Sequence, residues 1–367
     1  MMKKTFAAVC ALCSIPFVAS ADITVSLPDS FTEDSLAYYH APLKKLATAT
    51  SRADRGVVND KAVVKDHKAI IPVSSAEGGS RYGITFSKQD FIDLYVAPGE
   101  VVDINVKSLS PFDYSMTGTA LIESMNEVKL LSKPIEEKQA ALMAAGQPSE
   151  EQMRALYNEY VDSIKDFINE NLTSPNVVYA VMNLPGDEFI EAFDRLSEGA
   201  KTSILYPIAQ RQYNDLQKRK EQERKQAEMA EGNTPAPDFT LEDVAGKHVS
   251  LSQFKGKWVI LDFWGSWCIW CIKGFPELKE AYAKYKDRLE VVGVDCGETK
   301  DAWLAGVKKY ELPWVNVYNP EGSDLTQKYG VQGFPTKAII DPQGIIRNIT
   351  TGHDPEFFVK LDQLMAQ

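Results

Sequence analysis

The sequence predicts a multidomain chain with an N-terminal β-rich domain, a helical middle region and a C-terminal α/β domain. Three observations carry this. Apolar residues recur with period two from Ile23 to about Ser115 and at three- and four-residue spacing from about Gly118 to Gly232. From Pro237 onward, apolar runs of strand length alternate with helical patterns. At about 150 residues per domain, 367 residues allow two or three domains. The 44% hydrophobic and 25% charged composition excludes collagen-like, coiled-coil and wholly disordered classes. With 40 basic against 51 acidic residues the net charge is −11, which recommends neither nucleic acid nor an anionic membrane as partner.

The N-terminus has the tripartite form of a secretory signal. Lys3 and Lys4 supply the positive start, residues 6–18 a short apolar stretch, and Ala19-Ser20-Ala21 an A-x-A cleavage motif. The stretch is short for a membrane span. Leu12 stands where a lipoprotein signal usually has a small residue, so cleavage after Ala21 is expected, rather than an anchor or lipidation of Cys10 or Cys13. Cleavage leaves 346 residues, a charge of −13 and three cysteines, Cys268, Cys271 and Cys296. No other run approaches 18 apolar residues, which points to a protein released into an exported compartment, most simply a periplasm.

The expected domains are residues 1–21 (signal), 22–117 (β-rich), 118–232 (helical, ending in a charged linker helix) and 233–367 (α/β). In the β-rich part Ile23, Val25 and Leu27, then Tyr82, Ile84 and Phe86, then Val102, Ile104 and Val106 alternate with polar residues. Ala97-Pro98-Gly99-Glu100 reads as a turn, so residues 94–106 are expected to form a hairpin. In the middle, Met153, Leu156, Tyr157, Tyr160, Ile164, Phe167 and Ile168 mark one helix face, and Ser174-Pro175 a helix start. Residues 212–231 mix Lys, Arg and Glu with almost no apolar stripe, the pattern of a solvated connecting helix. Residues 232–237 break it.

In the α/β part, residues 258–263 and 289–294 are apolar runs separated by a helix of crossover length, which predicts parallel neighbouring strands. A helix over 299–310, a strand over 314–318, a hairpin around Pro342-Gln343-Gly344 and a last helix over 355–365 follow.

The chemistry lies where the first of these strands meets its helix, at Trp264-Gly265-Ser266-Trp267-Cys268-Ile269-Trp270-Cys271. Disulfide exchange needs an attacking thiolate and a second thiol near enough to resolve the mixed disulfide. The unpaired N–H groups and positive dipole end of a helix stabilise the first thiolate, while the second cysteine lies one turn inside. Cys268 is thus the expected nucleophile and Cys271 the resolving thiol. A CxxC can instead be half of a zinc site, but His40, His67, His248 and His353 are scattered and Cys296 stands alone, so no metal is expected. A purely structural bridge over two residues would stabilise little.

The run from Leu261 to Cys271, with Pro276 following and Gly333-Phe334-Pro335-Thr336 downstream, resembles the thioredoxin-fold oxidoreductases. The Pro237-Asp238-Phe239 opening and the extra segment 299–318 make residues 237–367 most similar to the TlpA/ResA-like branch of exported thiol-disulfide oxidoreductases. The resemblance implies a C-terminal thioredoxin fold that reduces protein disulfides, with no cofactor beyond its own redox-active Cys268/Cys271 pair. It also implies disulfide-containing protein substrates and a separate thiol electron donor linked to the membrane. Pro335 would be the cis-proline, receiving a substrate chain together with Phe334 as an added strand. Asp262 would be the buried carboxylate that accepts the Cys271 proton. Trp267 would flank the thiol as an apolar platform. The segment around Met116-Thr117-Gly118-Thr119 with its preceding strands is similar to an uncharacterised N-terminal module fused to such domains.

Three features depart from the family. Gly274 stands where ResA-like proteins commonly carry a glutamate, Ile269-Trp270 matches none of the better-known intervening dipeptides, and Cys296 is left over. Cys296 reads as a buried apolar residue or, more sharply, as an alternative resolving thiol. Two rival functions stand beside the reductase. One is a peroxiredoxin-like peroxidase, weakened by the missing Pro-x-x-x-Thr-x-x-Cys; the other is a binding protein in which residues 22–232 recognise a partner and the thioredoxin-like domain is auxiliary.

Overall fold

The computed structural model describes residues 21–366, so the expected signal segment lies outside the described residues except for Ala21. Two compact units meet between Asn214 and Asp215. No helix among the described residues is long and apolar enough to cross a membrane.

In the first unit, β1 (Asp22–Ser26), β2 (Ser35–Pro42), α1 (Leu43–Thr48), β3 (Val58–Lys65), β4 (Lys68–Pro72), β5 (Ser80–Thr85), β6 (Phe91–Val96), β7 (Val102–Leu109) and β8 (Phe112–Thr117) precede the helices. The strands form one sheet in the order β6-β5-β2-β3-β4-β1-β7-β8. Only the β1/β7 pair is parallel. The period-two residues supply its core: Ile23, Val25, Ala69, Ile71, Val102, Ile104 and Val106 are all buried. Residues 97–100 do turn, Glu100 N–H donating to Ala97 O at 3.3 Å with Gly99 at φ 83°. The hairpin expected over 94–106 is absent, however. The turn leads from β6, an edge strand, to β7, whose neighbours are β1 and β8. Alternation identifies half-buried strands without naming their partners.

The helices that follow are α2 (Ala120–Leu130), α3 (Lys133–Ala145), α4 (Glu150–Asn171), α5 (Val177–Met182) and α6 (Gly186–Asp194). A capping box starts α4: Ser149 Oγ accepts Gln152 N–H and the Gln152 side chain accepts Ser149 N–H. Its buried stripe is Leu156, Val161, Ile164 and Ile168, so Tyr157, half exposed, lies off the face on which its spacing placed it. Ser174 Oγ accepts the N–H of Asn176, and α5 begins at Val177, after the Ser-Pro pair rather than on it.

The second unit holds β9 (Thr234–Pro235), β10 (Thr240–Asp243), β11 (His248–Ser250), β12 (Trp258–Trp264), β13 (Leu289–Asp295), β14 (Val315–Tyr318), β15 (Thr336–Ile340) and β16 (Ile345–Thr351). Their order is β11-β10-β14-β13-β12-β15-β16-β9. The chain is a β-rich sheet, a helical middle and a C-terminal α/β thioredoxin-like region. As expected, β12 and β13 are parallel, and so are β13 and β14. Their crossovers carry α8 (Ile269–Tyr285) and α9 (Lys300–Lys309), and two more helices, α10 (Leu325–Lys328) and α11 (Glu356–Met365), follow. Central β12 is apolar apart from Asp262 because both of its faces are covered. Ile260 and Trp264 pack with Phe275 and Leu278 of α8 and Phe357 and Leu361 of α11. Val259, Leu261 and Phe263 pack on the other side with Leu325 and Tyr329.

The charged helix, α7 (Tyr206–Ala230), is less solvated than its composition implies. Glu221, Arg224, Lys225 and Glu228 do form exposed i,i+3 and i,i+4 pairs. Its last turn, however, buries Met229 in the core that contains Leu261 and Phe263, and Gln226 Nε2 donates to Thr351 Oγ1 at 2.8 Å. Residues 215–230 therefore cluster with the second unit, and the division falls inside the helix rather than at the 232–237 break. All six tryptophans lie in this unit, so their fluorescence reports on it alone. Met229→Ala is expected to destabilise the fluorescence-monitored transition by about 2–4 kcal/mol. Arg224→Ala is expected to leave its urea midpoint where it was. Equal effects of the two would mean that Met229 has no role in this core.

Candidate active site

The C-terminal end of β12 runs through Gly265 and Ser266 into α8. Cys268 is the N-cap residue of that helix, with φ −88° and ψ 97°, and its Sγ accepts the Cys271 N–H at 3.1 Å. The two sulfurs are joined as a disulfide, with Cα atoms 5.3 Å apart. Both cysteines are buried. Around them the surface is apolar: Trp267, Ile269 and Trp270 are each more than half exposed. Lys273 Nζ sits 4.4 Å from the Trp270 ring centre.

The turn before Cys268 is tied to the segment that follows β13. Glu298 accepts from the N–H of Ser266 at 2.7 Å and from its hydroxyl. The Trp267 indole N–H donates to Cys296 O at 3.0 Å. Gly265 is required there, because a Cβ would lie 2.5 Å from Trp267 Nε1 and 2.9 Å from Cys296 O. The Trp267 ring meets Phe334 edge-on, with centroids 5.3 Å apart. The Phe334–Pro335 peptide is cis, and Pro335 O accepts the Gly352 N–H at 2.7 Å. Residues more than sixty positions apart thus form one rim beside the disulfide. A cavity of about 610 Å³ adjoins Phe334, lined also by Glu298, Tyr318, Asn319 and Thr326.

Three acids and one lysine lie beneath this rim. Asp262 is buried, and its burial pushes the carboxyl above the usual range, opposed by Lys337. Lys337, its register partner on β15, places Nζ 3.7 Å from Asp262 Oδ1. Oδ1 itself accepts no hydrogen bond. At the end of β13, Asp295 is fully buried with neither carboxyl oxygen hydrogen-bonded. Burial and the neighbouring Glu298 carboxyl raise it to about 8. Cys296 is a free, buried thiol pushed far up by burial and by the Asp295 and Asp262 charges, which removes it as a ready nucleophile. Among the described residues no group of three or more His, Cys, Asp or Glu could hold a metal ion.

The six residues singled out from the sequence occupy one region. Cys268 and Cys271 are bonded, Trp267 and Phe334 are in ring contact, Pro335 follows the cis bond, and Asp262 lies on the face of β12 that packs against α8. Sequence reasoning missed Lys337, Asp295 and Glu298. The signal for two of them was present: a charge ending the apolar run 289–294 and a charge inside the run 336–340.

Residues 233–349 match the AhpC/TSA family. The thiol-disulfide oxidoreductase ResA of Bacillus subtilis is 39% identical over 118 residues, 32% of this chain and 65% of the relative. That of Bacillus thuringiensis is 41% identical over 110 residues, 30% of this chain and 63% of the relative. That of Geobacillus thermodenitrificans is 36% identical over 125 residues, 34% of this chain and 71% of the relative. The chain belongs to the ResA-like thiol-disulfide oxidoreductase family. It spans slightly less than two thirds of the length of the two Bacillus relatives, and residues before 233 lie outside the family match. Among solved structures, a putative thiol:disulfide interchange protein DsbE from Chlorobium tepidum is 32% identical, covering 37% of this chain and 95% of that one at a TM-score of 0.35.

The buried Asp295 carboxyl generates a prediction. Asp295 holds its proton in the native state up to about pH 8, whereas an unfolded aspartate loses it near 3.8. The native state therefore binds more protons across that window, and stability falls as pH rises through it. Asp295→Asn is expected to remove this slope, making the variant clearly more stable than the parent at pH 8 and equal to it near pH 4. Urea unfolding at the two pH values checks this.

Proposed function

We propose that the protein is an exported thiol-disulfide oxidoreductase that reduces disulfides in protein substrates. The observation that carries this reading is the Cys268–Cys271 bridge at the first turn of α8, beside the cis Phe334–Pro335 peptide. In the reduced protein the Cys268 thiolate, stabilised by the N–H groups and dipole of α8, attacks one sulfur of the substrate disulfide. A mixed disulfide forms and the first substrate thiolate leaves. Cys271 then gives its proton to Asp262 and attacks Cys268 Sγ, so that the Cys268–Cys271 bond forms and the second substrate thiolate departs. The substrate has gained two electrons and the protein has become the disulfide. A separate thiol donor, linked to the membrane, returns the dithiol.

The substrate chain docks as an added strand at Phe334, because Pro335 O already accepts Gly352 N–H. Trp267, with Ile269 and Trp270, supplies an apolar surface around the attacked sulfur, which favours segments exposed by incomplete folding. Residues 1–21 act as the signal peptide, with cleavage after Ala21 and a periplasmic destination; an exported disulfide reductase needs its own electron donor there.

The test is turnover of a disulfide-linked fluorescent peptide with a small dithiol as donor. Cys268→Ser is expected to lower the rate by at least about a thousand-fold, to background. Cys271→Ser is expected to accumulate a covalent substrate adduct visible by intact mass and lost on adding excess thiol. Full turnover by Cys268→Ser would contradict the assignment. Rapid peroxide consumption by the reduced protein, with no action on the peptide, would favour the peroxidase instead.

A further inference from the structure

The last turns of α7 precede the family match, which begins at 233, yet they lie against the segment that carries the cis peptide. Gly330 opens that segment at φ 62°, and a Cβ on it would stand 2.7 Å from Gln222 O and 3.2 Å from Gln226 N. Further along, a Cβ on Gly333 would stand 3.3 Å from Thr351 Cγ2. The Thr351 hydroxyl meets Gln226 on one side and Thr336 on the other. Gln226 Nε2 donates to it at 2.8 Å, and the two threonine oxygens are 2.9 Å apart. Thr336, fully buried at the start of β15, donates to Gly333 O at 2.8 Å.

These contacts have one consistent direction. A threonine hydroxyl carries a single proton. Thr336 gives its proton to Gly333 O, so Thr351 is the donor between the two threonines and accepts from Gln226. The chain therefore runs from Gln226 through Thr351 and Thr336 to Gly333 O, each bond polarising the next. Its end bears on substrate docking. The Gly333–Phe334 peptide is trans, so its C=O and N–H point opposite ways. Holding Gly333 O toward buried Thr336 turns the Phe334 N–H away from it, and that N–H has no hydrogen-bond partner among the described residues.

We propose that Gln226 is a positioning residue for substrate docking, fixing the direction of the hydrogen-bond chain that holds Gly333 O and so presents the Phe334 N–H to the incoming strand. This rests on the oxidoreductase reading above and gives the helix that precedes the family match a part in substrate binding. Without a donor at position 226, the Thr351 hydroxyl is free to accept from Thr336, and the Thr336 proton leaves Gly333 O. A carboxylate at position 226 goes further, because it draws the Thr351 proton to itself and reverses the chain. The Phe334–Pro335 peptide keeps its place through the bond from Gly352 N–H to Pro335 O, so only the preceding peptide is loosened. Neither sulfur is touched, and the chemistry at Cys268 is left as it was.

Stopped-flow reduction of the fluorescent disulfide peptide by the reduced full chain gives a half-saturating concentration and a limiting rate. A small neutral aromatic disulfide, which has no backbone to dock, serves as the second substrate. Gln226→Glu is expected to raise the half-saturating peptide concentration at least about five-fold and Gln226→Met about three-fold, with the limiting rate and the rate toward the small disulfide unchanged. Thr351→Val is expected to match Gln226→Met, and Thr351→Ser to keep the parent values. Adding Gln226→Met to Thr351→Val is expected to cost nothing more. A parent half-saturating concentration in Gln226→Glu, equal slowing toward both substrates, or full additivity of the two single losses overturns the proposal. If Thr351→Val does not fold, Gln226→Glu and Gln226→Met decide alone by the same two criteria. Failure of the unaltered protein to reduce either disulfide would instead overturn the oxidoreductase reading itself.

Discussion

The junction between β12 and α8 determines what the rest of the domain can do. A strand covered on both faces cannot shift without exposing Ile260, Leu261 and Phe263, so its C-terminal end is fixed in space. The helix that follows starts at Cys268, whose sulfur accepts the N–H of Cys271. Fixing the strand thus fixes a sulfur atom at the positive end of a helix dipole, and the second sulfur one turn away. The bonds from Ser266 to Glu298 and from Trp267 to Cys296 O extend that restraint to the end of the parallel neighbour β13. What remains variable is the surface around the thiols, and here Ile269 and Trp270 make it apolar.

Charge beneath the disulfide forms the second layer. Asp262 and Asp295 end or interrupt apolar strands and are buried without enough hydrogen-bond partners, at a cost in stability. Groups held in this way cluster where proton transfer is needed. The two are treated differently: Asp262 faces a lysine, while Asp295 faces a second carboxylate and keeps its proton. Gly274 leaves α8 without a side chain beside Lys337, whose Nζ would lie 3.8 Å from a Cβ placed there.

Much of this was legible in the sequence because it is local. The Cys268-x-x-Cys271 spacing, the apolar length of 258–263 and the start of a helix near 299 each depend on residues within a turn or two of one another. Long-range partners were not legible. The period-two pattern placed β6 and β7 in a sheet but could not tell that each pairs elsewhere, and the charge density of α7 concealed Met229, whose burial depends on a core distant in sequence. Lys337 was missed for the same reason. One charged residue in a run of strand residues reads as a solvent-facing position until the register sets it opposite Asp262.

The central claim is that the first turn of α8 makes Cys268 the reactive thiol and leaves Cys271 and Cys296 protected. Alkylation of the reduced protein by iodoacetamide, followed by peptide mapping across pH, measures this directly. The account predicts that Cys268 is modified first, with a rate that levels off at a pH below the 8.5 or so of an unperturbed cysteine, while Cys296 stays unmodified in the native state. Prior modification of Cys271 or Cys296, or a Cys268 rate still rising through pH 9, would contradict it.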